Sequence, residues 1–134
     1  MTLVDTSVWI SLLNSPSGRK LAPDDMLQFV TSGPVIQEVL QGIHADHKRI
    51  WFKQLFLAIP RVADPIPLRC FLQAAEIYAL GRRQGYTIRS STDCLIAAIA
   101  IENNVPVWHK DRDFTAIARF TSLRAVERWD QARQ

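Results

Sequence analysis

Residues Thr2 to Leu13, TLVDTSVWISLL, decide the fold class. Thr2-Leu3-Val4 has the character of a short buried strand, and it ends on an acid, Asp5. From Thr6 onward Val8, Trp9, Leu12 and Leu13 recur with the period of a helix. A strand that passes directly into a helix starts a βα unit rather than a hairpin. The alternation continues. Gln28 to Thr31 reads as a second strand, and Ser32-Gly33-Pro34 opens a helix that carries Val35, Val39 and Leu40 to a stop at Gly42. His47 to Ile59 is amphipathic, with Ile50, Trp51, Leu55 and Phe56 on one side and Lys48, Arg49 and Lys53 interspersed. Leu68 to Gln84 is a further helix, ended by Gly85. Ser91 or Thr92 caps a very apolar helix, Asp93 to Glu102, whose Ala97, Ala98 and Ala100 permit close packing on a sheet. After Asn103-Asn104 come a strand (Val105 to Trp108), a short helix (Arg112 to Ala118) and a last strand (Leu123 to Val126). Asn14 to Asp25 and the proline-rich Pro60 to Pro67 read as loops. This order predicts an α/β protein with a mainly parallel sheet, and right-handed crossovers put helices on both faces.

The 134 residues suit one domain, spanning 1–134, with 48% hydrophobic and 22% charged residues. That balance excludes a disordered tail, a collagen-like repeat and a coiled coil. No stretch approaches the roughly 20 apolar residues of a membrane-spanning helix, and the N-terminus lacks a signal-peptide pattern, so a cytoplasmic protein with no membrane partner is expected. Cys70 and Cys94, the only cysteines, are too few for a disulfide framework and lack zinc-site spacing. A net charge of +3 suits a polyanionic partner without demanding one.

Ligands of such folds bind beyond the carboxyl ends of the strands, and four places there carry acids. Asp5 ends the first strand, where it is either an N-cap or part of a site. Glu38 sits close to the apolar stripe of its helix. Asp93 opens the apolar helix, a position the macrodipole favours. Asp111 follows a strand in HKDRDF, with Asp113 two residues on. Each is ordinary alone. Together they are able to converge at one edge of the sheet, where three or more carboxylates repel unless protons or cations compensate. Mg2+ fits such a set, because it takes oxygen ligands and keeps several waters; Mn2+ would substitute.

The stretches LVDTSVWI (Leu3 to Ile10), GPVIQEVLQG (Gly33 to Gly42), TDCLIAAIA (Thr92 to Ala100) and HKDRDF (His109 to Phe114) follow the order found in PIN domains. The chain resembles most closely the VapC-type toxin ribonucleases of bacterial toxin–antitoxin pairs. The resemblance implies a three-layer α/β/α sandwich and a catalytic, metal-holding quartet at Asp5, Glu38, Asp93 and Asp111. Asp113 falls on an auxiliary acidic position, and Thr6 or Ser7 on the small hydroxyl residue after the first acid. Many relatives have threonine just ahead of the last acid, where this chain has His109-Lys110. A homodimer, a cognate VapB-like antitoxin and a structured RNA substrate, often tRNA or rRNA, are further implications.

Arg82, Arg83, Arg89, Lys110 and Arg112 flank the motifs and are candidate RNA phosphate contacts, with a solvated surface as the alternative. Helix Ile50 to Ile59 has more large side chains than one buried face needs, which predicts a partner surface for the antitoxin. With that quartet holding Mg2+, hydrolysis by metal-activated water is expected; His44, His47 and His109 are too scattered to nominate an acid–base pair. A receiver domain is disfavoured because Asp5 stands alone after the first strand, and a nucleotide-binding enzyme because no glycine-rich phosphate loop is present. The remaining alternative is a catalytically inactive PIN-like RNA-binding or interaction module.

Overall fold

A computed structural model describes residues 1–14 and 23–132. In chain order these form β1 (Thr2–Val4), α1 (Thr6–Leu13), a 3-10 helix (Pro23–Gln28), β2 (Phe29–Val30), α2 (Gly33–Gln41), α3 (Asp46–Ala58) and α4 (Leu68–Arg83). Then follow α5 (Ser91–Glu102), β3 (Val107–Trp108), α6 (Arg112–Phe120), β4 (Ala125–Val126) and α7 (Trp129–Ala132). The loop expected over Asn14 to Asp25 lies, between 15 and 22, outside the described residues; its end, from Pro23, is 3-10 helix.

The four strands pair only in parallel, in the order β2-β1-β3-β4. They are shorter than hydrophobic patterning suggests, but the ladder continues past their ends: Leu3 N donates to Pro106 O at 2.9 Å, and His109 N to Val126 O at 3.0 Å. The chain leaves β1 toward β2 on one side and leaves β3 toward β4 on the other. Strand order therefore reverses between β1 and β3, which opens a crevice at their carboxyl ends. That crevice is bounded by Asp5 and by the His109–Asp113 turn.

Helices cover both faces. On one, Trp9 of α1 packs edge-on against Phe29 (5.9 Å between ring centroids) and Phe56 of α3 (5.3 Å), while Trp129 of α7 meets Phe29 (5.0 Å) and Trp108 (5.4 Å). Side chains alternate along a strand, so Trp108 faces this cluster and His109 the other side, against Phe114 of α6. On that side α5 is apolar around its circumference, with Ile96 to Ala100 all buried. Each large side chain buried here contributes about 1.5–3 kcal/mol. Among the described residues, no helix is long and apolar enough to cross a membrane.

Two expectations need correction. The cap of α5 is Ser90, whose Oγ accepts from Asp93 N at 3.3 Å, rather than Ser91 or Thr92. In α3 the buried residues are Phe52 and Phe56, whereas Ile50 and Trp51 are each 57% exposed. A helical wheel fixes which residues share a side but not which side meets the core, and here Trp9 draws in the phenylalanines.

Candidate active site

Asp5 is the N-cap of α1, and Asp111 the N-cap of α6. Asp93 enters from the first turn of α5, and Glu38 from the middle of α2, whose Val35 and Val39 anchor it to the core. The capping roles of Asp5 and Asp111 are thus real, and both carboxylates lie within electrostatic range of Glu38 and Asp93. Asp5, Asp93 and Asp113 are buried. One ligand atom each from Asp93, Asp111 and Asp113 lies within 4.8 Å of the others.

Asp5, Glu38, Asp111 and Asp113 also have donors that tie down part of each carboxylate. Asp5 Oδ2 accepts from Ser7 N (3.1 Å) and Ser7 Oγ (2.5 Å), whereas Oδ1 is buried without a partner. Thr6 Oγ1 donates to Glu38 Oε1 at 2.9 Å, and Asp113 N donates to Asp111 Oδ1 at 2.9 Å. Asp113 Oδ2 accepts from Arg89 N at 3.1 Å, and Oδ1 lies 3.9 Å from Arg89 Nε. Asp93 Oδ2 is buried and unpartnered. Helix starts and hydroxyls hold one edge of the cluster while oxygens on the crevice side stay free for something else.

The electrostatics agree. Burial pushes the Asp93 carboxyl from its ordinary 3.8 up to about 9, helped by the negative charges of Asp5, Asp111 and Asp113 and by a carboxyl–carboxyl contact with Asp111. Burial also raises Asp5, partly offset by the Ser7 and Thr6 donors, with Asp111 adding repulsion. Glu38 is raised by burial and by Asp5 and Asp111, against the Thr6 hydrogen bond. Acids from four elements therefore feel one another. A crowded carboxylate set of this kind is stable only with a shared proton or a cation, and hard oxygen donors with unpartnered buried atoms fit a divalent ion such as Mg2+.

Ser7 links two elements, since its Oγ also accepts from Lys110 N at 2.9 Å. His109 is buried, and its Nδ1 accepts from Asp111 N at 3.2 Å. Burial holds its pKa below the ordinary imidazole range, so the ring is neutral and carries its proton on Nε2. His109 thus supports the peptide that presents Asp111.

Arg89, Lys110 and Arg112 line a groove of about 800 Å³ next to the acids, together with His109, Asp113 and Arg119. The other two arginines named from sequence are elsewhere. Arg82 leans over the Tyr78 ring (5.7 Å) and borders a groove between α4 and α5; Arg83 is exposed at the end of α4. Neither lines the groove beside Asp113. Sequence reasoning missed Arg119. Its signal is a seven-residue spacing from Arg112, which puts both on one face of α6.

The PIN domain family model matches residues 2–120. Ribonuclease VapC11 of Mycobacterium tuberculosis is 35% identical over 134 residues, covering 94% of this chain and 98% of the relative. Two solved structures share the fold at lower identity. VapBC-1 from nontypeable Haemophilus influenzae has a TM-score of 0.70 at 19% identity, over 96% of this chain and 98% of that one. VapBC-5 from Mycobacterium tuberculosis, a member of the VapBC family of toxin–antitoxin systems, has a TM-score of 0.68 at 17% identity, over 93% and 96%. With acids from four elements brought within electrostatic range beside a β2-β1-β3-β4 sheet and a family match over most of its length, the chain belongs to the PIN-domain family, in its VapC branch.

Proposed function

We propose that this protein is a Mg2+-dependent endoribonuclease, the toxin of a toxin–antitoxin pair restrained by a VapB-like antitoxin. The observation that carries this reading is the cluster of Asp93, Asp111 and Asp113 within electrostatic range of Asp5 and Glu38, with Asp5 Oδ1 and Asp93 Oδ2 buried and unpartnered. A full acid set favours chemistry over a catalytically inactive binding module.

Asp5, Glu38, Asp93 and Asp111 would hold the ion, with Asp113 as an auxiliary ligand already engaged by Arg89. A bound Mg2+ supplies acidified water and a sink for charge developing on a phosphate; Mn2+ serves the same purpose. The chain's own residues do the positioning. Ser7 and Thr6 lock one oxygen each of Asp5 and Glu38, so their remaining oxygens need no reorganisation. His109 holds the Asp111 peptide. Arg89, Lys110 and Arg112 place cations beside the acids, where a phosphodiester backbone is drawn in. The neutral, buried His109 and the distant His44 and His47 do not make a general acid–base pair.

Incubation of purified protein with tRNA and rRNA, with Mg2+ or EDTA, tests the reading through the fragment ends. Metal-dependent hydrolysis leaves 5′-phosphate and 3′-hydroxyl ends. A 2′,3′-cyclic phosphate, or cleavage that persists in EDTA, overturns it.

The partner assignments rest on exposed apolar side chains. Ile50, Trp51 and Leu57 of α3 stand in solvent, and a cavity lined by Ile10, Ile43 and Lys48 lies between α1, α2 and the start of α3. This surface suits the antitoxin. Leu68, Phe71, Leu72 and Tyr78 of α4 form a second exposed set, which we assign to the homodimer contact.

A further inference from the structure

The groove beside Asp113 holds more than phosphate-seeking cations. Four of its side chains are basic (Arg89, Lys110, Arg112 and Arg119) against two acids, Asp113 and Glu127. Arg89 is committed to Asp113, and Lys110 Nζ donates to Ser11 Oγ at 3.0 Å. Arg112 and Arg119 make no ion pair among the described residues. They lie on the same face of α6, about 10 Å apart along its axis.

An aromatic ring closes the other side. Tyr86 lines the groove, and its ring stacks on Phe120 with centroids 5.3 Å apart and planes at 29°. Local sequence sets this placement. Gly85, at φ +85°, ends α4 with Gly85 N donating to Arg82 O (3.2 Å) and Tyr86 N to Gly81 O (2.9 Å), so the residue after the glycine turns back over the helix. Gly81 makes room behind it: a Cβ there would stand 2.9 Å from Phe120 Cζ. A glycine inside a helix costs about 1 kcal/mol relative to alanine. Here it lets Phe120 sit under Tyr86.

We propose that this groove is a subsite for an unpaired nucleotide of the RNA adjoining the cut, with Tyr86 as the stacking platform and Arg112 and Arg119 as phosphate contacts. The proposal rests on the RNA-cleaving reading and adds strandedness and a direction along α6 to it. An aromatic face flanked by cations is the arrangement that receives single-stranded nucleic acid, because every base offers a π-face whereas a duplex keeps its bases stacked inside. An acidic protein segment fits less well. Its carboxylates pair with the cations but offer no π-face to the ring.

The test is fluorescence anisotropy with a labelled single-stranded RNA dodecamer, and with the same strand annealed to its complement, in EDTA between 50 and 200 mM salt. The cations lie outside the acid cluster, so binding needs no divalent ion. Arg119→Gln is expected to lower the slope of log affinity against log salt by about 0.7, one phosphate contact on a single strand. Tyr86→Leu is expected to weaken single-strand binding by on the order of tenfold and leave the duplex unaffected, with Tyr86→Phe restoring affinity. Mn2+ affinity, by calorimetry, stays unchanged in all three. An unchanged salt slope in Arg119→Gln overturns the proposal, as does no single-strand binding at 50 mM salt. So does equal weakening of single strand and duplex by Tyr86→Leu, or an Arg119→Gln defect seen only toward the antitoxin. Arg119 is exposed, so its variant keeps the test decisive even if Tyr86→Leu fails to fold. If the unmodified protein binds as expected but does not cut RNA with Mg2+, the nuclease reading fails and the groove stands. Cutting without these binding effects is the reverse outcome.

Discussion

Replacing Asp93 by asparagine removes an ionisable group, and the cost of protonating it on folding, from the crowded crevice while keeping nearly the same shape. In the unfolded chain this carboxyl titrates near 3.8, and in the folded protein without a cation near 9. Between those values the folded state holds a proton that the unfolded state has lost. Stability of the unmodified protein therefore rises as pH falls from about 9 toward 4, the reverse of a salt-bridged acid. At pH 7 the penalty covers about three pH units at roughly 1.4 kcal/mol each, about 4 kcal/mol as an upper bound. The new amide brings a buried donor beside Asp5 and Asp111, and imperfect pairing there gives back about 1–2 kcal/mol. A net gain of roughly 2 kcal/mol corresponds to about 5–10 °C in melting temperature for a chain this size. Thermal melts in EDTA at pH 4.5, 7 and 8 read this directly. Asp93→Asn should melt above the unmodified protein at pH 7 and 8, and the gap should close by pH 4.5. Mn2+ should change the order: at a hundred times the dissociation constant the intact site gains about 2.7 kcal/mol, and the variant less. RNA cleavage should be lost. A variant that melts lower than the unmodified protein in EDTA at pH 7, or a gap that ignores pH, refutes the reasoning.

Ser7→Ala breaks the link between Asp5 Oδ2 and Lys110 N, and Mn2+ affinity should fall about 10–100-fold by calorimetry, the usual effect of losing a group that orients a ligand. For His109, leucine leaves the Asp111 N–H without its acceptor and should destabilise the fold by about 1–3 kcal/mol in urea titrations, whereas asparagine, which offers an oxygen in a similar place, should recover part of the loss. Trp51→Asp on the exposed face of α3 should leave RNA cleavage unchanged and abolish capture by purified antitoxin in a pull-down. Phe71→Glu on α4 should convert a dimer to a monomer in sedimentation analysis without shifting Mn2+ affinity.

Much of the architecture was legible without coordinates because local rules acted alone. The run from Thr2 to Leu13 switches from strand to helix character at Asp5, and the chain does so there. Gly85 marks the end of α4 because a left-handed residue is needed, and glycine supplies it without a clash. Asp5 and Asp111 stood out because each caps a helix that follows a parallel strand, and such helix starts lie on one edge of a sheet; Glu38 and Asp93 joined them as acids on otherwise apolar helix stretches. The surplus of large side chains on α3 likewise predicted that some would be left in solvent.

Other features depended on contacts that no local rule specifies. Ser90 rather than Ser91 or Thr92 caps α5, a choice among adjacent hydroxyls that backbone direction decides. Trp9 determined that Phe52 and Phe56, not Ile50 and Trp51, enter the core. The role of His109 became visible only where its ring nitrogen meets the Asp111 peptide. Arg82 and Arg83 adjoin a motif in sequence but stand apart from its acids, whereas Tyr86 and Arg119, 33 positions apart in the chain, border the same groove. Sequence by itself determined which residues are strand, helix and acid, because period, caps and turns are properties of neighbouring residues. Which oxygens are held and which are left free, and which cations flank them, was decided only when the β1–β3 crevice brought distant segments within hydrogen-bonding range.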